Sequence, residues 1–188
     1  MSRLWLVRHA RPLAADGLCY GRLDLAADAA ASRAAARTLA AALPPRVAGL
    51  WHSPLQRCEL LALDLRALRP DLASIPEPRI LEMDFGAWEG LAWDAIAQAE
   101  IAAWADDLAR HAPGGGEPLS AMLARVDEAL GEAAARARAG GGDVVWITHA
   151  GVARCVHWLQ VHGPARLPRS DEWPVQAPGF GDWVQVEL

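Results

Sequence analysis

The stretch GGGDVVWITHAGVARCVHWLQV, residues 140–161, runs from a glycine turn through an apolar segment to His149, then into a helix opened at Ala150-Gly151. An unbroken apolar run bounded by a turn reads as a strand buried on both faces, the kind found in parallel sheets. The same setting recurs near the start of the chain. LWLVRHARP, residues 4–12, places four apolar residues directly before Arg8-His9, with Arg11 close behind. Two strands thus end on histidines, and the rest of the sequence has to say why.

Working outward, residues 3–8 predict the first strand, and PLAADGLCYGRLDLAAD predicts an extended loop punctuated by Gly17 and Gly21. The alanine-rich run from Asp28 or Ser32 to Leu43 predicts a helix stopped by Pro44-Pro45. VAGLW is a second short strand, ending at His52-Ser53-Pro54. Ser53 is then the expected N-cap, with Pro54 at the first position of a helix reaching Leu68. ILEMDFGAWEG reads as a strand end and loop, and Leu91 to Arg110 as a helix carrying Trp93 and Trp104. HAPGGGEP breaks that helix, residues 119–139 form another, and DWVQVEL closes the chain as an alternating strand. The triple glycines at 114–116 and 140–142 read as turns rather than anion cradles. Strands alternating with helices predict an α/β fold, a three-layer α/β/α sandwich around a mostly parallel sheet. No internal repeat or long linker interrupts it. Residues 1–188 therefore read as one domain, with residues 85–120 as a small insertion on the substrate side.

Composition narrows the chemistry. All 18 basic residues are arginine, and the chain has no lysine. A lysine-bearing phosphate loop and a lysine Schiff base are both excluded. Rich use of alanine, arginine and glycine suggests a GC-rich bacterial genome. The net charge of −5 argues against nucleic acid as a partner, since backbone phosphates require a basic face. Cys19, Cys58 and Cys155 are odd in number and far apart, so neither a disulfide framework nor a zinc knuckle follows. The N-terminus lacks a signal-peptide shape, and no apolar run approaches the roughly 20 residues of a membrane span. The expected setting is the cytoplasm, away from membranes. Oligomeric state is not legible.

His9 and His149 sit at predicted C-terminal strand ends, where open α/β sheets bind ligands. They can therefore share one crevice, and Arg8 and Arg57 fit the same pattern. Guanidinium forks match phosphate oxygens and stay charged, whereas they repel a metal ion. The combination points to a phosphoryl group attacked by an imidazole, with no cofactor and no metal.

VRHA, HSPLQR near residue 55, LEMDFGAWEG near 85 and ITHAG near 149 together resemble the histidine phosphatase superfamily, also called phosphoglycerate-mutase-like. The order and spacing match over nearly the whole chain. CYGRLDL and LEMDFGAWEG are most similar to its alpha-ribazole phosphatase group, of cobalamin biosynthesis. The resemblance implies that His9 is the nucleophile, forming a phosphohistidine that water hydrolyses. It implies that Arg8, Arg57 and His149 hold the phosphoryl oxygens, and that Glu82 donates a proton to the leaving alcohol and later activates water. A donating Glu82 needs burial or nearby negative charge to keep its proton. Backbone N–H groups after His149 would add anion binding. Two departures stand out. Ala10 replaces the family's glycine, which brings strain if φ is positive there, and Arg11 replaces an acidic residue or glutamine, adding a third cation. Arg11, Gly21 and Arg22 are further candidates for substrate contact.

Each residue also has a plainer reading. His9, His149 and Arg57 taken singly are structural or solvated, and Arg22 competes with a loop ion pair to Asp24. Glu89 competes with Glu82 as the acid, and Glu82 is preferred for its place just after the apolar Ile80-Leu81. His52, His111, His157 and His162 read as structural or exposed, not as a metal site. Trp88 and Trp93 are candidates for a pocket wall. The leading expectation is a metal-independent phosphomonoesterase acting on a small phosphorylated metabolite, with alpha-ribazole 5′-phosphate as first candidate. A phosphoglycerate-type mutase is the nearest alternative, disfavoured by the short segment between Glu82 and Leu119. A non-catalytic phospho-ligand-binding module and a metallohydrolase are the others.

Overall fold

The computed structural model describes residues 2–188. Along the chain run β1 (Arg3–Arg8), α1 (Ala29–Ala42), β2 (Val47–His52), α2 (Gln56–Leu68), β3 (Ser74–Pro76), α3 (Gln98–Asp106), α4 (Leu119–Gly140), β4 (Asp143–Thr148), α5 (Ala150–His162) and β5 (Trp183–Glu187). The sheet order is β3-β2-β4-β1-β5. All pairs are parallel except β1 with β5. Because side chains alternate along a strand, each buried strand feeds two cores. Leu4, Leu6, Val144 and Trp146 pack under α4 and α5, whereas Trp5, Val7, Val145 and Ile147 pack under α1 and α2. The result is the expected three-layer α/β arrangement, five strands wide.

Several local expectations change, each for a hydrogen-bonding reason. Asp28, not Ser32, starts α1, its carboxylate accepting from Ala31 N at 2.7 Å. Ser53 does not cap α2, which begins at Gln56 with no side-chain cap from its own N-cap residue. Asp24 reaches across from the first loop instead and accepts from Gln56 N at 2.8 Å. Only Gln98–Asp106 of the expected 91–110 helix is α-helical, preceded by a single 3₁₀ turn at Trp93–Ala95. Backbone groups of residues 91 and 93 are taken by the first loop: Cys19 N donates to Leu91 O, and Trp93 N to Gly17 O. The expected strand end at Ile80 is a 3₁₀ turn, Pro78–Ile80, opened by a proline that has no N–H for a ladder. Gly86, Gly114 and Gly116 let two backbones touch. A Cβ on Gly114 would stand 2.3 Å from Phe85 O. That contact fastens residues 113–117 onto the segment that follows Glu82.

Candidate active site

Register brings the two histidines together. Arg8 pairs with Thr148 across the parallel β1–β4 ladder, so His9 and His149 leave the sheet side by side. His9 N donates to Thr148 O at 3.0 Å, and the imidazole centroids lie 5.1 Å apart. Both rings are buried. His9 Nδ1 lies 2.7 Å from Ala10 O. A carbonyl only accepts, so Nδ1 carries the proton and Nε2 keeps its lone pair. Burial, then the charges of Arg57 and Arg8, push His9 down to about 3, well below the usual imidazole range. His149 is held well below that range by burial, with the neighbouring His9 and Arg57 adding to it. Ala10 carries no strain, since no described non-glycine residue has a positive φ.

The cations sit around this pair. Arg57 is 0 % exposed, with Nη1 donating to Leu23 O at 2.8 Å and Nη2 to Gly21 O at 2.5 Å. Arg8 donates to Pro178 O at 3.1 Å, and its guanidinium lies 3.8 Å from the Phe180 ring centroid. Arg8 Nε, Arg57 Nε and His149 Nδ1 are buried without a protein partner. Leaving the two guanidinium N–H groups unsatisfied costs about 1–3 kcal/mol each, so the centre is electrostatically suited to an anion.

A cavity of about 380 Å³ opens beside them, lined by Arg8, His9, Glu82, Gly151, Tyr20 and Arg154 on its polar side. Leu18, Phe85, Trp93, Trp104 and Trp173 supply much of the apolar wall. Glu82 is half-buried, accepting from Met83 N at 3.0 Å and Gly151 N at 3.1 Å. The N–H at the start of α5 thus holds a carboxylate of the chain itself. Glu89 stands outside the cavity, accepting from the backbone N–H groups of Arg22, Leu23 and Phe85. Trp88 is also outside, buried with its indole N–H on Glu100.

Of the expected site residues, Arg57 and His149 are buried beside His9 and do not themselves line the cavity, and neither do Arg11, Gly21 and Arg22. Arg11 is exposed, 5.7 Å from the Phe180 ring. Gly21 is a packing position, since a Cβ there would stand 1.8 Å from Met83 O. Arg22 pairs with Glu117 at 3.5 Å rather than with Asp24, whose carboxylate is taken by α2. Three residues at the site were not singled out in the sequence. Ser53 Oγ lies 2.8 Å from His149 Nε2, and its place before a proline disguised it as a cap. Arg154 follows Gly151 by one helical turn, a spacing that signals a shared face. Tyr20, the only tyrosine, lies with its ring centroid 5.5 Å from the Arg57 guanidinium. Among the described residues no three His, Cys, Asp or Glu side chains gather as a metal-binding group.

The model of the histidine phosphatase superfamily, branch 1, matches residues 4–173. The chain belongs to this superfamily. It is an enzyme of the phosphatase class, and solved structures that include a phosphatase resemble it. A mycobacterial glucosyl-3-phosphoglycerate phosphatase, solved with inorganic phosphate, shares 27% identity at a TM-score of 0.79, covering 100% of this chain and 90% of its own. TTHB049 from Thermus thermophilus shares 29% at a TM-score of 0.71, covering 98% and 93%. A structure described as mycobacterial hydrolase 2 shares 27% at 0.80, covering 98% and 81%. No curated protein matches the sequence significantly. No described helix is long and apolar enough to cross a membrane.

Proposed function

We propose that this histidine phosphatase is a metal-independent phosphomonoesterase that works through a phosphohistidine on His9. One observation carries the reading: a neutral imidazole beside buried, unpartnered nitrogens of Arg8, Arg57 and His149, with the Glu82 carboxyl lining the cavity that Arg8 and His9 also line. The His9 Nε2 lone pair attacks phosphorus as the bond to the leaving oxygen breaks. The Glu82 carboxyl gives its proton to that oxygen, and the alcohol departs. Glu82, now a carboxylate, takes a proton from water; the hydroxide attacks phosphorus and the P–N bond breaks. Inorganic phosphate leaves and Nε2 is restored. Arg8, Arg57 and the His149 Nδ1–H hold the equatorial oxygens, where charge develops, each donor contributing about 10²–10³ in rate.

The substrate is a small phosphorylated metabolite with a ring in its leaving group, alpha-ribazole 5′-phosphate being the first candidate. Trp93, Trp104 and Phe85 support this, since an aromatic wall stacks on a flat base. Such a substrate places the enzyme in bacterial cobalamin biosynthesis, in the cytoplasm. A second reading takes a glucosyl-3-phosphoglycerate-like substrate. Arg154 favours it, because its buried Nε has no partner and would suit a carboxylate on the leaving group.

The test is hydrolysis of p-nitrophenyl phosphate in EDTA by the wild type and a folded His9→Ala variant. Activity that survives the chelator and is lost in the variant is expected. Equal activity in both overturns His9 as nucleophile, loss in EDTA points to a metallohydrolase, and phosphate binding without turnover to a binding module. The ratio of kcat/KM for the two candidate substrates then separates the two readings.

A further inference from the structure

The segment that carries Glu82 has almost no secondary structure of its own, a single 3₁₀ turn at Pro78–Ile80. Its carbonyls must therefore find partners elsewhere. Thr148 Oγ donates to Ile80 O at 2.7 Å. The other three, on Arg79, Leu81 and Glu82, are all served by one side chain, Arg125 of α4. Its Nη1 donates to Arg79 O and Leu81 O, each at 2.7 Å, and its Nη2 to Glu82 O at 3.2 Å. The remaining N–H groups go to Glu117, Nε to Oε1 at 2.7 Å and Nη2 to Oε2 at 2.8 Å. All five donors of the guanidinium are thereby used. Both partners are largely buried, their side chains 14% and 11% exposed. Glu117 is itself tied to the same stretch, its N–H donating to Asp84 O at 2.8 Å.

We propose that Arg125, held in its fork by Glu117, is the positioning residue for Glu82, setting the distance from the carboxyl to the leaving-group oxygen. This rests on Glu82 being the proton donor. It touches neither phosphate nor nucleophile. Its effect should therefore appear only where proton donation matters. An alkyl alcohol leaves poorly without a proton, whereas p-nitrophenolate leaves readily without one. Lysine at position 125 keeps the charge but has three donors on one nitrogen, which cannot span carbonyls 79, 81 and 82 while gripping a carboxylate.

The experiment measures kcat/KM for p-nitrophenyl phosphate and for glycerol 2-phosphate, a parameter that reports the steps up to phosphoenzyme formation. Wild type, Glu82→Gln, Arg125→Lys and Glu117→Gln are compared, with inhibition by inorganic phosphate measured on each. Arg125→Lys is expected to lose about tenfold or more on the alkyl ester. Its loss on the aryl ester should be no more than about threefold, with the phosphate inhibition constant unchanged, since only proton donation is affected. Glu82→Gln should show the same pattern more strongly. Equal losses on both esters, or a weakened phosphate site, would reduce Arg125 to a packing role and overturn the inference. If Arg125→Lys does not fold, Glu117→Gln is judged by the same ratio. A Glu82→Gln variant without leaving-group dependence overturns the acid assignment itself, a failure distinct from that of Arg125.

Discussion

At residue 53 a hydroxyl that reads in sequence as a helix cap meets an imidazole instead. If Ser53 donates its proton to His149 Nε2, 2.8 Å away, the His149 proton is fixed on Nδ1, the nitrogen with no protein partner. The serine would then decide which face of the ring can donate to a phosphoryl oxygen. Ser53→Ala, which removes one buried hydroxyl, is expected to lower kcat/KM by roughly 10–10², somewhat less than losing an anion-hole donor outright. Steady-state kinetics beside a thermal melt checks this, and a variant that melts lower while retaining full activity would make Ser53 merely structural. Cys58 Sγ lies 3.6 Å from the same nitrogen, but burial pushes its thiol far above its ordinary range, so it stays protonated.

At the scale of elements, the site depends on a loop that contains no strand or helix of its own. Residues 20–24 bring Gly21 O and Leu23 O to Arg57 and the Asp24 carboxylate to the start of α2. The loop lies so close to the Glu82 segment that Gly21 has no room for a side chain. Gly21→Ala is therefore expected to separate the two segments, lowering both the urea midpoint and kcat/KM. Kinetics and urea titration on one preparation would show it, and an unchanged midpoint would contradict the packing. The same contrast explains what the sequence made legible. His9 and His149 were readable because apolar runs locate strand ends, and adjacent parallel strands align those ends without any further information. The grouping with Arg57 followed from its helix beginning just after a strand. Ser53, Arg125 and the limits of α3 were not readable, because each depends on a partner far along the chain: His149, the carbonyls of 79–82, and Gly17 with Cys19. The plainer reading of Arg22 as an ion pair with Asp24 was displaced for the same reason, that carboxylate having a better use at α2.

At the scale of the whole molecule, the fold buries His9, His52 and His149 in their neutral forms. In the unfolded chain histidine takes up a proton near pH 6.5, while in the native state these three resist it. Stability is then fully present above about pH 6.5 and declines as pH falls toward the folded value of His9, about 3. The window between pH 6.5 and 5 isolates this effect, because the ion-paired carboxylates, such as Glu77, titrate below their ordinary value of 4.5. His9 contributes a loss of about 1.4 kcal/mol for the first unit below its unfolded value. Urea titrations at pH 7.5 and 5.5 should show the decline, lessened in His9→Gln, and identical midpoints at the two values would contradict it. The architecture as a whole delivers one imidazole, uncharged and tautomerically fixed, to a cationic crevice at the end of β1. Rapid mixing with p-nitrophenyl phosphate, quenching in alkali and peptide mapping by mass spectrometry tests that claim most directly. The account predicts an acid-labile phosphoryl group on the peptide containing His9, absent in His9→Ala. A phosphoryl group on any other residue, or full turnover by His9→Ala, would contradict it.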